Sequence, residues 1–134
     1  MTTNRTFLTF HIAGFTYWDG VDVFNELKIG TQLFFAIEPD NIHDPNAVAI
    51  HFYSSNLEKN TKLGYIPRDK NKEISQFLNC GYNNIFEILI NRIVPEEHTE
   101  KQISVIVRIK LNENSTLSLK TKPQTAKGKR VKGV

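Results

Sequence analysis

One cysteine, one methionine and one tryptophan occur in 134 residues. A single thiol cannot close an internal disulfide, so burial and hydrogen bonding must hold the fold, in keeping with a reducing, intracellular setting. No run of about 18 apolar residues is present, which leaves no candidate membrane-spanning helix. The opening MTTNRTFLTF has neither the basic start nor the apolar stretch of a secretory leader. No phosphate-binding loop of the GxxxxGK or GxGxxG type occurs, so nothing supports nucleotide hydrolysis. The four histidines, His11, His43, His51 and His98, lie far apart, and Cys80 has no cysteine at zinc spacing. Neither a metal nor a cofactor is expected. Cys80 falls at a helix end where the macrodipole disfavours a thiolate, so it reads as a small packed hydrophobe rather than a nucleophile. The chain is expected not to be an enzyme.

What is present describes one domain with an appendage. A hydrophobic content of 40% with 10% aromatics argues a folded chain. A body of this length buries about two-thirds of its unfolded surface, enough for a core. The formal charge of +3 is unevenly placed. Residues 120–134, KTKPQTAKGKRVKGV, hold six basic groups and no acid, while residues 1–119 hold eleven basic and fourteen acidic groups. The expected division is therefore a β-barrel domain over 1–119 and a disordered basic tail over 120–134. The tail reads equally as a solubilising terminus or as an arm whose Lys127, Lys129 and Arg130 contact phosphates.

Strand signals dominate the body. FLTFHIA (7–13) places Leu8, Phe10 and Ile12 on one face at period two. TQLFFAIE, NAVAIHFY and a short 62–66 segment stopped by Pro67 follow, with 54–62 as a polar connection. Residues 84–94 are almost continuously apolar, and 101–111 alternate through Ile103, Val105, Val107, Ile109 and Leu111; PEEHTE joins the two as a hairpin. The one convincing helix covers about 70–80, with Asp69 as N-cap, an Ile74, Phe77, Leu78 face, and Gly81 at the left-handed stop. Six or seven strands and one short helix argue a small barrel or a strongly curved sheet.

Three polar loops, 14–20, 38–47 and the weaker 63–68, interrupt this scaffold. In and around them stand Gly14, Tyr17, Gly30, Leu33, Glu38, Pro39, Asn41, Asp44, then 46–50 (NAVAI) and 63–67 (LGYIP). In that order they resemble the HIRAN domain over about residues 7–111, with the block EPDNIHDPNAVAI as the most specific part. The resemblance implies a mainly β fold with one short helix, a small OB-like β-barrel. It also implies binding of single-stranded DNA at 3′ ends in a repair or replication context. Carried over position by position, Tyr17 and His43 would stack on the terminal base. Asp44 would accept from the 3′-hydroxyl with Asn41 beside it, and Arg68 with Lys70 would hold phosphate. Tyr65 stands where some relatives place a histidine near phosphate. His43 replaces an aromatic that is commonly tyrosine, and Thr16 stands where a basic side chain would assist. The resemblance further implies a partner helicase or nuclease on another chain, and a cytoplasmic or nucleoid-associated protein.

The same residues support plainer roles. Asp44-Pro45-Asn46 fits an Asx-turn. Arg68 is placed to pair with Asp69 or Asp44 at the surface, and Tyr17 and Trp18 to cap one barrel end. A protein-interaction or adaptor domain without DNA-end recognition is the alternative function, and the acidic body favours it.

Overall fold

The computed structural model describes residues 4–15, 19–98 and 101–112. Tyr17, with its neighbours Thr16 and Trp18, and the whole 120–134 tail lie outside the described residues.

Among the described residues six strands form two antiparallel three-stranded sheets. β1 (Arg5–His11), β5 (Phe86–Ile93) and β6 (Ile103–Ile109) make one, in the order β1-β6-β5. β2 (Phe34–Ile37), β3 (Val48–Ser54) and β4 (Lys59–Tyr65) make the other, in the order β2-β3-β4. The ladders do not close into a continuous barrel among the described residues. Instead the sheets meet at two narrow seams, an Ala13–Tyr65 bridge and a Gln32–Leu89 bridge. The first seam needs a glycine beside it. Gly64 has φ +153°, and a Cβ there would overlap the carbonyl oxygen of Ala13.

Alternation creates the core, as the period-two pattern requires. Phe10, Ile12, Ile88, Ile90, Ile103, Val105 and Val107 face inward from one sheet. Val48, Ile50 and Leu63 face them from the other. The alternation weakens at its margins: Ile109 and Leu111 are exposed where β6 runs out of the sheet. The polar connection is also shorter than the expected 54–62. β3 continues to Ser54 and β4 begins at Lys59, so the turn is Ser55 to Glu58, with Glu58 at φ +55°.

The helical content departs from a single helix. α1 (Lys72–Asn79) is the one α-helix among the described residues, and 3-10 segments cover Asp19–Glu26, Arg68–Lys70 and Asn83–Ile85. The first was not anticipated, although Val23 and Leu27 provide a buried i, i+4 pair and Phe24 packs edge-on against Phe15 at 5.9 Å. Its Glu26 fastens the β3–β4 hairpin, accepting from Ser54 Oγ at 2.6 Å and from the Ser55 amide at 3.0 Å. Asp69 is not the N-cap of α1, because Asp69 belongs to the preceding 3-10 turn and Asn71 takes the cap position without a side-chain cap bond. At the other end the expected glycine stop is present as a Schellman motif. Tyr82 N–H reaches Phe77 O at 3.0 Å, Gly81 N–H reaches Leu78 O at 3.0 Å, and the Phe77 and Tyr82 rings meet edge-on. That same turn leaves Cys80 exposed, not packed as a small hydrophobe.

Candidate functional site

The 38–47 loop is built by its own polar side chains. Asn41 Oδ1 accepts from the amides of His43 (2.9 Å) and Asp44 (3.0 Å), and Asn41 Nδ2 donates to Glu38 Oε1 (3.2 Å). Asp44 Oδ1 then accepts from the Asn46 amide at 2.9 Å, the Asx-turn that its spacing to Asn46 suggested. Two successive side-chain-to-backbone closures stiffen the loop without regular structure.

This loop walls a cleft of about 420 Å³. Ala13, Ala47 and Ile66 supply its apolar part, next to the seam between the sheets. Asn41, His43, Asp44, Tyr65 and Arg68 supply its polar rim. The structure thus brings together five of the residues singled out from sequence. Lys70 is not among them: its exposed side chain points to the Thr9 carbonyl of β1 at 3.4 Å. Tyr17 and the tail residues Lys127, Lys129 and Arg130 fall outside the described residues.

Asp44 is the best-anchored member. Its side chain is 15% exposed, and Asn71 Nδ2 donates to Oδ2 at 2.8 Å. Asn71 is itself 2% exposed, so the helix start is tied directly to the cleft wall. Arg68 is held more loosely. Its side chain is 73% exposed, its Nε lies 3.7 Å from Asp44 Oδ2, and an Nη2–H reaches the His43 carbonyl at 3.3 Å. Pairing with Asp44 was one of the two partners anticipated for Arg68. An exposed pair at this distance is worth under about 1 kcal/mol, which leaves the guanidinium available to an incoming anion.

Beside the cleft lies a second polar group that the sequence did not announce. Lys62 Nζ sits 2.6 Å from Glu38 Oε2 and donates to Tyr65 Oη at 2.8 Å, while Tyr65 O–H donates to Glu38 Oε1 at 2.8 Å. Burial pushes the Glu38 carboxyl up, but the bonds from Lys62, Tyr65 and Asn41 outweigh it and hold the group below its usual value. Burial likewise works against the Lys62 ammonium, and Glu38 and Tyr65 more than compensate, raising it. Burial raises the Tyr65 phenol. Tyr65 therefore lines the cleft as a neutral donor and acceptor fixed in place, with Lys62 also over its ring at 4.7 Å. No local motif could have flagged this trio: Glu38 is in a loop and the other two are on β4, joined only through β3.

Among the described residues no group of three or more histidine, cysteine or acidic side chains is arranged to hold a metal, and no helix is long and apolar enough to cross a membrane. The cleft instead offers an anchored carboxylate, an exposed guanidinium and an apolar floor, a combination suited to a ligand carrying both hydroxyl and anionic groups.

The chain is similar to known proteins in family and in fold. The HIRAN domain model matches residues 6–120. The fold is similar to a crystal structure of a protein from Lactobacillus plantarum, with a TM-score of 0.62 and 19% identity, covering 81% of this chain and 97% of that one. It is also similar to the crystal structure of the HIRAN domain of human HLTF, with a TM-score of 0.54 and 15% identity, covering 93% and 95%. No curated protein matches the sequence.

Proposed function

The chain belongs to the HIRAN domain family, a family associated with DNA binding, and on that premise we propose that it binds single-stranded DNA and reads a 3′-hydroxyl end in the cleft. The observation that carries the proposal is Asp44. A carboxylate offers about four acceptor positions, and Asn46 and Asn71 occupy two of them. The remaining capacity belongs to a cleft-lining group, where a terminal hydroxyl can donate. A 3′-phosphate or an internal phosphodiester would instead bring negative charge against the carboxylate, so Asp44 selects ends by penalising the alternatives. Arg68 holds the preceding phosphate once it leaves its weak contact with Asp44. His43, exposed on the rim, stacks on the terminal base together with Tyr17. Asn41 acts by shaping the loop, because both ends of its amide are already engaged.

The scaffold supporting this site reads as a split, OB-like barrel. The six strands follow one another in a cyclic order, with one bridge at each seam. The chain acts as a binding module without a reaction of its own. Its setting is intracellular DNA repair or replication, with a helicase or nuclease supplied by another chain.

Affinities for oligonucleotides ending in 3′-hydroxyl or 3′-phosphate, and for blunt duplex, test the reading. Preference for the 3′-hydroxyl single strand is expected; equal affinity for all three overturns it. The acidic body favours one other reading, an adaptor that binds protein, and removal of residues 120–134 separates the two. Loss of all DNA binding on that deletion, with Asp44→Ala silent, assigns the binding to the tail and leaves the body as the adaptor.

A further inference from the structure

The outer face of the β2-β3-β4 sheet carries an arrangement that the cleft does not use. Phe34 and Tyr53 are 47% and 51% exposed. Phe34 pairs across the ladder with His51, and Tyr53 stands two residues beyond His51 on the same strand. Period two therefore places all three rings on one face. As diagonal neighbours, Phe34 and Tyr53 stand about 7–8 Å apart, roughly twice the 3.4 Å rise per nucleotide of a stacked strand. His51 between them is held toward its neutral form, by burial first and by Lys62 second.

We propose that this face carries the nucleotides upstream of the 3′ terminus, with Phe34 and Tyr53 as stacking platforms. The inference rests on the cleft reading and adds a path to it. Continuity comes from the register. Ala49 pairs with Tyr65 on the cleft wall, His51 pairs with Lys62, and Tyr53 pairs with Asn60. The four steps from Ala49 to Tyr53 span about 13 Å of strand, the length of at most about four stacked nucleotides. Two exposed rings at this spacing suit successive bases of a strand, since every base has a face to stack.

The test uses the full chain and 5′-labelled oligonucleotides of three and nine residues with 3′-hydroxyl ends, read by fluorescence anisotropy. The nonamer is expected to bind at least about tenfold more tightly than the trimer. Phe34→Ala and Tyr53→Ala should each weaken the nonamer about fivefold or more, leave the trimer unchanged, and preserve the thermal midpoint, since both side chains are exposed. Tyr53→Phe should keep the nonamer affinity. Equal affinity for the two lengths overturns the proposal. So does a length gain that neither alanine variant reduces, which would belong to the tail, or a loss shared equally by trimer and nonamer. The cleft is tested separately by a 3′-phosphate trimer: if it binds as well as the hydroxyl trimer while the Phe34 and Tyr53 effects persist, only the end reading fails. Absence of binding to every oligonucleotide overturns both.

Discussion

The bond between Asn71 and Asp44 joins the start of α1 to the cleft wall, and a double-mutant cycle measures it. Asn71 is 2% exposed, and its Nδ2 lies 2.8 Å from Asp44 Oδ2. A buried hydrogen bond to a charged group is worth about 1.5–3 kcal/mol. Asp44→Ala strands the Asn71 amide without its acceptor and also opens the Asx-turn to Asn46, so a loss of about 2–3 kcal/mol is expected. Asn71→Ala removes the donor and leaves a small void, costing about 2 kcal/mol. The double variant leaves neither partner stranded and should cost less than the sum by about 1–2 kcal/mol. Urea unfolding is the assay. With a slope of about 1–3 kcal/mol per molar, each single variant should lower the midpoint by about 0.7–3 M, at unchanged slope. Additivity within about 0.5 kcal/mol would refute the reasoning, because it would mean that the bond contributes nothing as a pair.

Three other outcomes follow from the same structure. Gly64→Ala forces a side chain into a positive-φ position against the Ala13 carbonyl and should cost more than about 2 kcal/mol; a thermal midpoint within about 2 °C of the parent by calorimetry would contradict the seam as described. The Glu38 carboxyl is held below its ordinary value, so its contribution to stability is present above the unfolded pKa and is lost as pH falls through the folded one. The urea midpoint should therefore exceed that of Glu38→Gln at neutral pH, and the gap should close as pH falls below about 4; a constant gap rules out this linkage. Arg68→Ala should leave stability nearly unchanged, since the side chain is 73% exposed, but flatten the dependence of log affinity on log salt by about 0.7 for single-stranded DNA. An unchanged slope removes Arg68 from the phosphate contact.

The parts of this molecule legible in the sequence are those written locally. Alternation along 7–13 and on β6 shows in Phe10, Ile12, Val105 and Val107 without any partner being known. The Asp44–Asn46 turn is likewise set by two side chains two residues apart. Gly81 stops α1 because the left-handed position needs no information from elsewhere. What could not be read depends on partners distant in sequence. Glu26 finds Ser54 across 28 positions, Glu38 finds Tyr65 across 27, and Asn71 finds Asp44 across 27. None has a periodic signature. Asp69 and Asn71 are equally good cap types in sequence, and nothing local foretells that the Asn71 side chain bonds Asp44 instead. How far the two sheets close on each other was out of reach for a related reason: strand propensity says which segments extend, whereas the number of rungs at each edge is decided by where the Ala13 and Gln32 approaches occur.

The Ala13–Tyr65 bridge has a thermodynamic reach beyond its two hydrogen bonds. Ala13 N–H to Tyr65 O and Tyr65 N–H to Ala13 O, each 2.9 Å, tie the sheets together at this seam, and both residues line the cleft. An occupant of that cleft touches both halves of the protein at once. Any opening that parts the sheets at this edge must therefore release the occupant first, so occupancy raises the free energy of opening by RT ln(1 + [L]/Kd). These two amides become internal reporters: their hydrogen-exchange rates should slow with ligand concentration even where the structure does not change, turning the narrowest join in the fold into its binding gauge.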